Sequence, residues 1–202
     1  FAWENRFKPA GLRRFFKFDR FACTFADCRL RGEPLAKALA VLLELGRRVR
    51  RPAGDVFLIA TSKEEVGSNG ALFFAQREPL DALIALEIAP IAPEYTISDG
   101  ERPVLLAEDG FGLYDELLNK IVRQAAERRS LTVQTTVVSN FGSDGSNTMR
   151  TGHVARAACL GFPTLNTHGF EIAHLGAIQN CVEILEEVCR HGLAVRPDRP
   201  PQ

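Results

Sequence analysis

Two adjacent acids, Glu64 and Glu65, follow the apolar run Val56 to Thr61 and precede Val66 and Gly67. Acids at the C-terminal end of a parallel strand sit where open α/β sheets place their ligands. Neighbouring side chains diverge, so one carboxylate can bind a metal while the other takes a proton from an attacking water. A pair of solvated acids capping the next helix is the competing reading, and the commoner one for such a pair in isolation. Glu87 weighs against it. This acid closes a second apolar run, Leu83 to Ile88, where a lone carboxylate is costly unless paired or metal-bound. Upstream, Asp27 lies on a strand-to-helix turn before Pro34. Downstream, Ser143, Asp144 and Gly145 form a loop after the β-branched run Leu131 to Val138. His168, Glu171 and His174 bring two of the four histidines together. Acids and imidazoles at successive strand ends are what a hydrolytic metal site needs, with carboxylates to share two cations and imidazoles to keep each Lewis-acidic.

The elements that must position these residues alternate between strand and helix. Leu35, Ala38, Leu39, Leu42 and Leu45 recur at helical spacing from Pro34 to Arg50, and proline suits a first helical turn. Asp55 to Thr61 is an apolar run of the kind buried on both faces of a parallel sheet. A short helix is expected over Asn69 to Gln76, strands over Leu83 to Ile88 and Val104 to Leu106, and an amphipathic helix over Phe111 to Arg128. Leu131 to Val138 reads as a strand, Thr164 to Thr167 as a weaker one, and Ile172 to Cys189 as the last long helix. The alternation predicts a three-layer α/β sandwich with a mostly parallel central sheet. Residues 1–26 have no clean period and read as a remnant of something larger, residues 27–195 as the catalytic domain, and the proline-rich residues 196–202 as a disordered tail.

Composition excludes several classes. Lys plus Arg (25) balances Asp plus Glu (25), and no basic stripe with interleaved aromatics appears, which argues against nucleic acid. The apolar run Leu35 to Leu45 is broken by Lys37 and Glu44 and is too short to span a bilayer. Five cysteines without a CxxC pair fit reduced thiols in a cytoplasmic protein. The simplest reading makes all five small buried apolar residues. The start at Phe1 rather than Met leads us to expect a processed or truncated product.

As an ordered set, these motifs resemble the co-catalytic two-zinc aminopeptidases of the glutamyl or deblocking type, which build tetrahedral shells. The stretch Ala60 to Ala71, ATSKEEVGSNGA, is close to that family's central signature. The resemblance covers about Asp27 to Cys189. It implies a phosphorylase/hydrolase-like zinc-peptidase fold, and a peptide substrate cleaved at its free N-terminus. It makes Glu64 the general base and Glu65 a ligand of one metal. Glu87, 22 residues after Glu65, matches the next acidic ligand, usually Asp in the family. Ala26-Asp27-Cys28-Arg29 resembles the Asp-Asp-Arg element, which makes Asp27 the bridging carboxylate. Gly142-Ser143-Asp144 resembles the Gly-Thr-Asp loop that lines the site, and His174 takes the place of the final histidine ligand. Two divalent ions, zinc first with cobalt or manganese as substitutes, and a homo-oligomer are further implications.

The chain also departs from that pattern. The family's first ligand is a histidine in a His-x-Asp element upstream of Asp27, and no histidine precedes His153. Residues 1–26 would then be the last piece of the family's inserted β-rich domain, and the sandwich is expected to be incomplete. Two alternatives follow, a truncated or degenerate homologue that binds metal or assembles without catalysis, and a related two-metal hydrolase of other amides. A site built from His168, Glu171 and His174 alone is a further possibility. The more ordinary reading puts His168 near the substrate and Glu171 in hydrogen bonds behind the ligands. His153 reads as a loop residue and His191 as a favourable charge at a helix C-terminus.

Overall fold

A computed structural model describes residues 15–18 and 34–193 of the 202-residue chain. Asp27, Cys28 and the expected tail 196–202 lie outside the described residues, as does most of the expected remnant 1–26. Among the described residues, eight strands form one sheet: β1 (Phe15–Phe18), β2 (Phe57–Ala60), β3 (Leu83–Pro90), β4 (Val104–Asp109), β5 (Gly112–Leu113), β6 (Gln134–Val138), β7 (Ala157–Leu165) and β8 (Ile172–Ala173). Among the same residues, five helices accompany them: α1 (Pro34–Arg48), α2 (Asn69–Ala75), α3 (Glu116–Arg128), α4 (Asp144–Arg150) and α5 (Leu175–His191).

The sheet runs β2-β1-β3-β7-β4-β5, with β6 paired to β4 and β8 to β7. The parallel pairings are β1 with β2 and β3, β3 with β7, and β4 with β6. The antiparallel pairings are short, β4 with β7 and β5 and β7 with β8. Because β4 opposes β7, the C-terminal ends of β4 and β6 point to the opposite edge from those of β2, β3 and β7.

Period-2 alternation divides β3 between two cores. Ile84, Leu86 and Ile88 face helices α1, α3 and α5, packing with Leu45, Leu118, Ile121, Ile184 and Leu185. Leu83, Ala85 and Ala89 face the other side with Leu106, Tyr114, Val138 and Cys159, where α2 and α4 lie against each other and α4 against β3 and β7. Helices on both faces make the expected three layers.

Several elements differ from the sequence reading. The strand expected from Thr164 begins at Ala157, because Gly161 and Pro163 mask a strand pattern. Thr164 O accepts the Ile91 N–H from the β3 side, so Pro163, one residue earlier, aims its missing N–H the other way. That side falls between Leu160–Gly161, paired to β4, and Thr164–Leu165, paired to β8. The helix expected from Phe111 starts at Glu116. Residues 109–113 instead form a tight β4–β5 hairpin, and Asp115 caps the helix by accepting the Leu118 N–H at 2.7 Å. Ile172 and Ala173 pair with β7 rather than opening α5. β2 is only partly covered, not buried on both faces as its composition suggests. No helix among the described residues is long and apolar enough to cross a membrane.

Candidate functional site

The turn after β2 carries Glu64 and Glu65 and is tightly specified. Gly67 N and Ser68 N donate to Glu64 O at 3.1 and 3.0 Å, Asn69 N to Lys63 O at 3.2 Å and Gly70 N to Ser62 O at 2.9 Å. A Cβ on Gly70 would stand 2.5 Å from Ser62 N, so glycine is required for that closure. Lys63 and Ser68 hold φ near +58° and +57°, a region that non-glycine residues visit at a cost. The result leaves Glu64 half-buried and Glu65 exposed.

Glu87 lies inside β3, three residues before its end at Pro90, rather than closing the strand. It shares a pleat with Ala85 and Ala89 and is 5% exposed. Its register partner on β7 is Gly161. A carboxylate buried in such an apolar strand is the feature the sequence singled out.

The loop between β7 and β8 presents His168, with φ +64°. Its Nδ1 lies 3.7 Å from Glu65 Oε1, and its backbone N–H reaches Glu171 Oε1 at 3.4 Å. Glu171 is buried. His174 does something the sequence did not announce. It is the N-cap of α5, and its Nδ1 accepts the Gly176 N–H at 3.1 Å. Glu101 Oε1 stands 3.9 Å from the same nitrogen. A neutral imidazole accepting at Nδ1 carries its proton on Nε2, so His174 must give up either the cap bond or that proton to ligate a metal. The structure therefore brings His168, not His174, to Glu65.

Ser143 and Asp144 start α4 and are fully buried. They arrive from the opposite edge, because β6 runs against β7, and they reach the acid turn across the sheet face. Thr61 Oγ1 donates to Asp144 Oδ2 at 2.9 Å. With no exposed surface, Ser143 and Asp144 stand behind the site rather than at its lining. Asp109, at the end of β4, was missed in the sequence. Its Oδ2 accepts from Ser143 N at 3.0 Å, Ser146 Oγ at 2.5 Å and the Tyr114 hydroxyl. Burial first, then the neighbouring Cys159 thiol and the Asp109 charge, push the Tyr114 hydroxyl well above its ordinary pKa. Tyr114 thus remains a neutral donor. An acid closing a strand directly before a Gly-Phe-Gly turn was the available signal.

The donor chemistry suits a divalent cation only in part. Carboxylate oxygens and imidazole nitrogens are the donors such ions take. Among the described residues, however, no three His, Cys, Asp or Glu side chains gather closely enough to hold one. Cys159, Cys181 and Cys189 are buried thiols in no disulfide, and burial raises the Cys181 thiol well above its usual pKa. A cavity of about 460 Å³ lies at the other edge, bordered by Asp55, Glu78, Asp81 and the end of α5. No candidate site residue lines it.

Comparison with known proteins adds the family. The model of the M42 glutamyl aminopeptidase family matches residues 37–184. A protein of Acetivibrio thermocellus, described provisionally as an aminopeptidase, is 24% identical over 182 residues, covering 83% of this chain and 55% of that protein. Among solved structures, an aminopeptidase of Desulfurococcus kamchatkensis aligns with TM-score 0.72 at 21% identity, covering 77% of this chain and 47% of its own. The TET1 peptidase of Pyrococcus horikoshii, which assembles into a tetrahedron or a large octahedral shell, aligns with TM-score 0.66 at 24% identity, covering 76% and 47%. The chain thus spans about half the length of the relatives it matches.

Proposed function

The chain belongs to the M42 glutamyl aminopeptidase family, and from that membership we propose that it serves the metal-dependent removal of N-terminal residues from peptides, with Glu64 as general base. The observation that carries this reading is that the Glu64–Glu65 turn, at the C-terminal end of β2, and the buried Glu87 on β3 lie on strands that run in the same direction with β1 between them. Asp27, Glu65, Glu87 and His174 would hold two divalent ions, zinc first and cobalt or manganese as substitutes. Bound there, such ions would lower the pKa of a water and polarise the scissile carbonyl.

The chain's own residues do the rest. Glu64, half-buried on a rigid turn, accepts the proton of the attacking water and returns it to the leaving amine. His168, 66% exposed beside Glu65, is placed to meet the peptide. Ser143 and Asp144 support the site from behind. A homo-oligomer and a cytoplasmic setting, in which the cysteines stay reduced, belong to the same proposal.

A second reading has its own support. That no three potential ligands gather among the described residues favours a homologue that binds metal or assembles without catalysis. The test compares hydrolysis of a peptide with a free N-terminus against its N-acetylated form, before and after chelation, with zinc, cobalt and manganese counted per chain. Chelator-sensitive release from the free peptide alone, with two ions per chain, supports the aminopeptidase. No release, with one ion or none, supports the second reading.

A further inference from the structure

The turn bearing Glu64 and Glu65 holds two non-glycine residues at positive φ, Lys63 and Ser68. Such a conformation persists only where its surroundings impose it. The turn's own hydrogen bonds close the loop, but they do not fix it against the sheet. Helix α4 supplies that fixing at two points three residues apart, a spacing that puts both side chains on one helix face. Asp144 Oδ2 accepts from Thr61 Oγ1 at 2.9 Å, where the residues are 0% and 3% exposed. Asn147 Nδ2 donates to Gly67 O at 3.4 Å. Arg150 donates to Asn147 Oδ1 at 3.0 Å, which turns the amide so that its NH₂ meets the turn.

The helix is itself anchored. Asp109 takes the Ser143 N–H and the Ser146 hydroxyl, and Tyr114 joins Asp109 to Ser143 Oγ at 2.8 Å. The Phe111 ring lies where a Cβ of Gly142 would be, 2.2 Å from it, so glycine lets the ring clamp the loop before α4. A buried carboxylate makes the stronger, charge-assisted kind of hydrogen bond. The rigid path runs from Asp109 through α4 to Thr61 and Gly67, which flank the two acids.

We propose that Asp144 and Asn147 are positioning residues that hold the Glu64–Glu65 turn in place, with Asp109 as their anchor. The catalytic consequence rests on the role proposed above for Glu64. Misplacing a general base on a loosened turn lowers the rate of the chemical step more than it weakens substrate binding.

The test uses Thr61→Val, which keeps the shape and removes the donor, Thr61→Ser, which restores it, and Asn147→Asp, which removes the amide donor to Gly67. Hydrogen exchange is followed at the amides of Gly67, Ser68, Asn69 and Gly70, with those of β4 as control. Thr61→Val and Asn147→Asp should raise exchange in the turn by about tenfold or more while β4 stays protected, and Thr61→Ser should not. In peptide hydrolysis, Thr61→Val should lower kcat by about tenfold or more with KM within about twofold, and Thr61→Ser should restore it. Unchanged exchange in the turn, or an equal rise across β4, overturns the positioning role. A loosened turn with unaltered kcat overturns its catalytic consequence. A loosened turn in a chain that never hydrolyses peptides overturns the function proposed for Glu64 while the positioning role stands.

Discussion

Gly161 stands directly across from Glu87 on the β3–β7 ladder, and a Cβ there would lie 2.9 Å from the Glu87 carbonyl oxygen. The missing side chain lets the two strands close and leaves no β7 side chain beside the Glu87 carboxylate at that register. Gly161→Ala must push the strands apart where both are buried. It is expected to destabilise by about 2 kcal/mol, a fall in Tm of roughly 4–8 °C for a chain of this size. Thermal unfolding followed by circular dichroism measures it, and an unchanged Tm would contradict the close approach.

His174 combines a helix cap with a proposed ligand, and two substitutions separate the roles. His174→Ala removes the acceptor for Gly176 N–H and should cost about 1 kcal/mol, whereas His174→Ser keeps a capping oxygen and most of the stability. Both remove the imidazole. If His174 ligates a metal, both variants lose bound metal equally, and only His174→Ala melts earlier. Metal analysis and thermal melts on the same samples read the two effects.

The outer helices are joined by ion pairs whose pH dependence has a definite sign. Glu187, 5% exposed, accepts from Arg129 Nε at 2.9 Å and meets His191 Nε2 at 2.8 Å. Burial acts to raise the Glu187 carboxyl, but the Arg129 hydrogen bond and charge, with His191 and Arg190, hold it below its ordinary value. Hydrogen bonds from Arg47 and Arg48 lower Glu44 to about 2. Groups lowered in the folded state stabilise it at neutral pH and lose that contribution as pH falls from about 4.5 towards 2. Glu187→Gln should therefore cost about 2 kcal/mol at pH 7. The gap to the unaltered chain should close on acidification, as urea titrations at several pH values will record.

Much of the fold was legible, and the failures have physical causes. The period of 3.6 that starts at Leu35 gave α1, and Leu42 and Leu45 of that face are buried in the core. β3 was legible because both its faces are covered, so its sequence is apolar apart from Glu87. β7 was not, since Gly161 and Pro163 serve a close approach and an unpaired gap that exist only in the assembled sheet. The direction of β6 could not be read from composition either. The loop at Ser143 was expected beside the acids by strand order, whereas Asp144 reaches Thr61 across the sheet from the other edge. Glu64, Glu65 and Glu87 were visible as acids out of place beside apolar runs. Asp109 had only the Gly-Phe-Gly turn after it as a signal, and Asn147 and the cap formed by His174 have no such signature, because their partners are distant in sequence or are backbone atoms. Asp27 lies outside the described residues.

The most direct test of the proposed chemistry is the release of an N-terminal residue from an unblocked peptide by the Glu64→Gln chain, compared with the unaltered chain at equal metal content. Loss of the general base should lower kcat by at least about a hundredfold while the metal bound per chain stays the same. A Glu64→Gln chain that turns over at the original rate would contradict the role assigned to Glu64, and with it the reading of the acid turn as the catalytic centre.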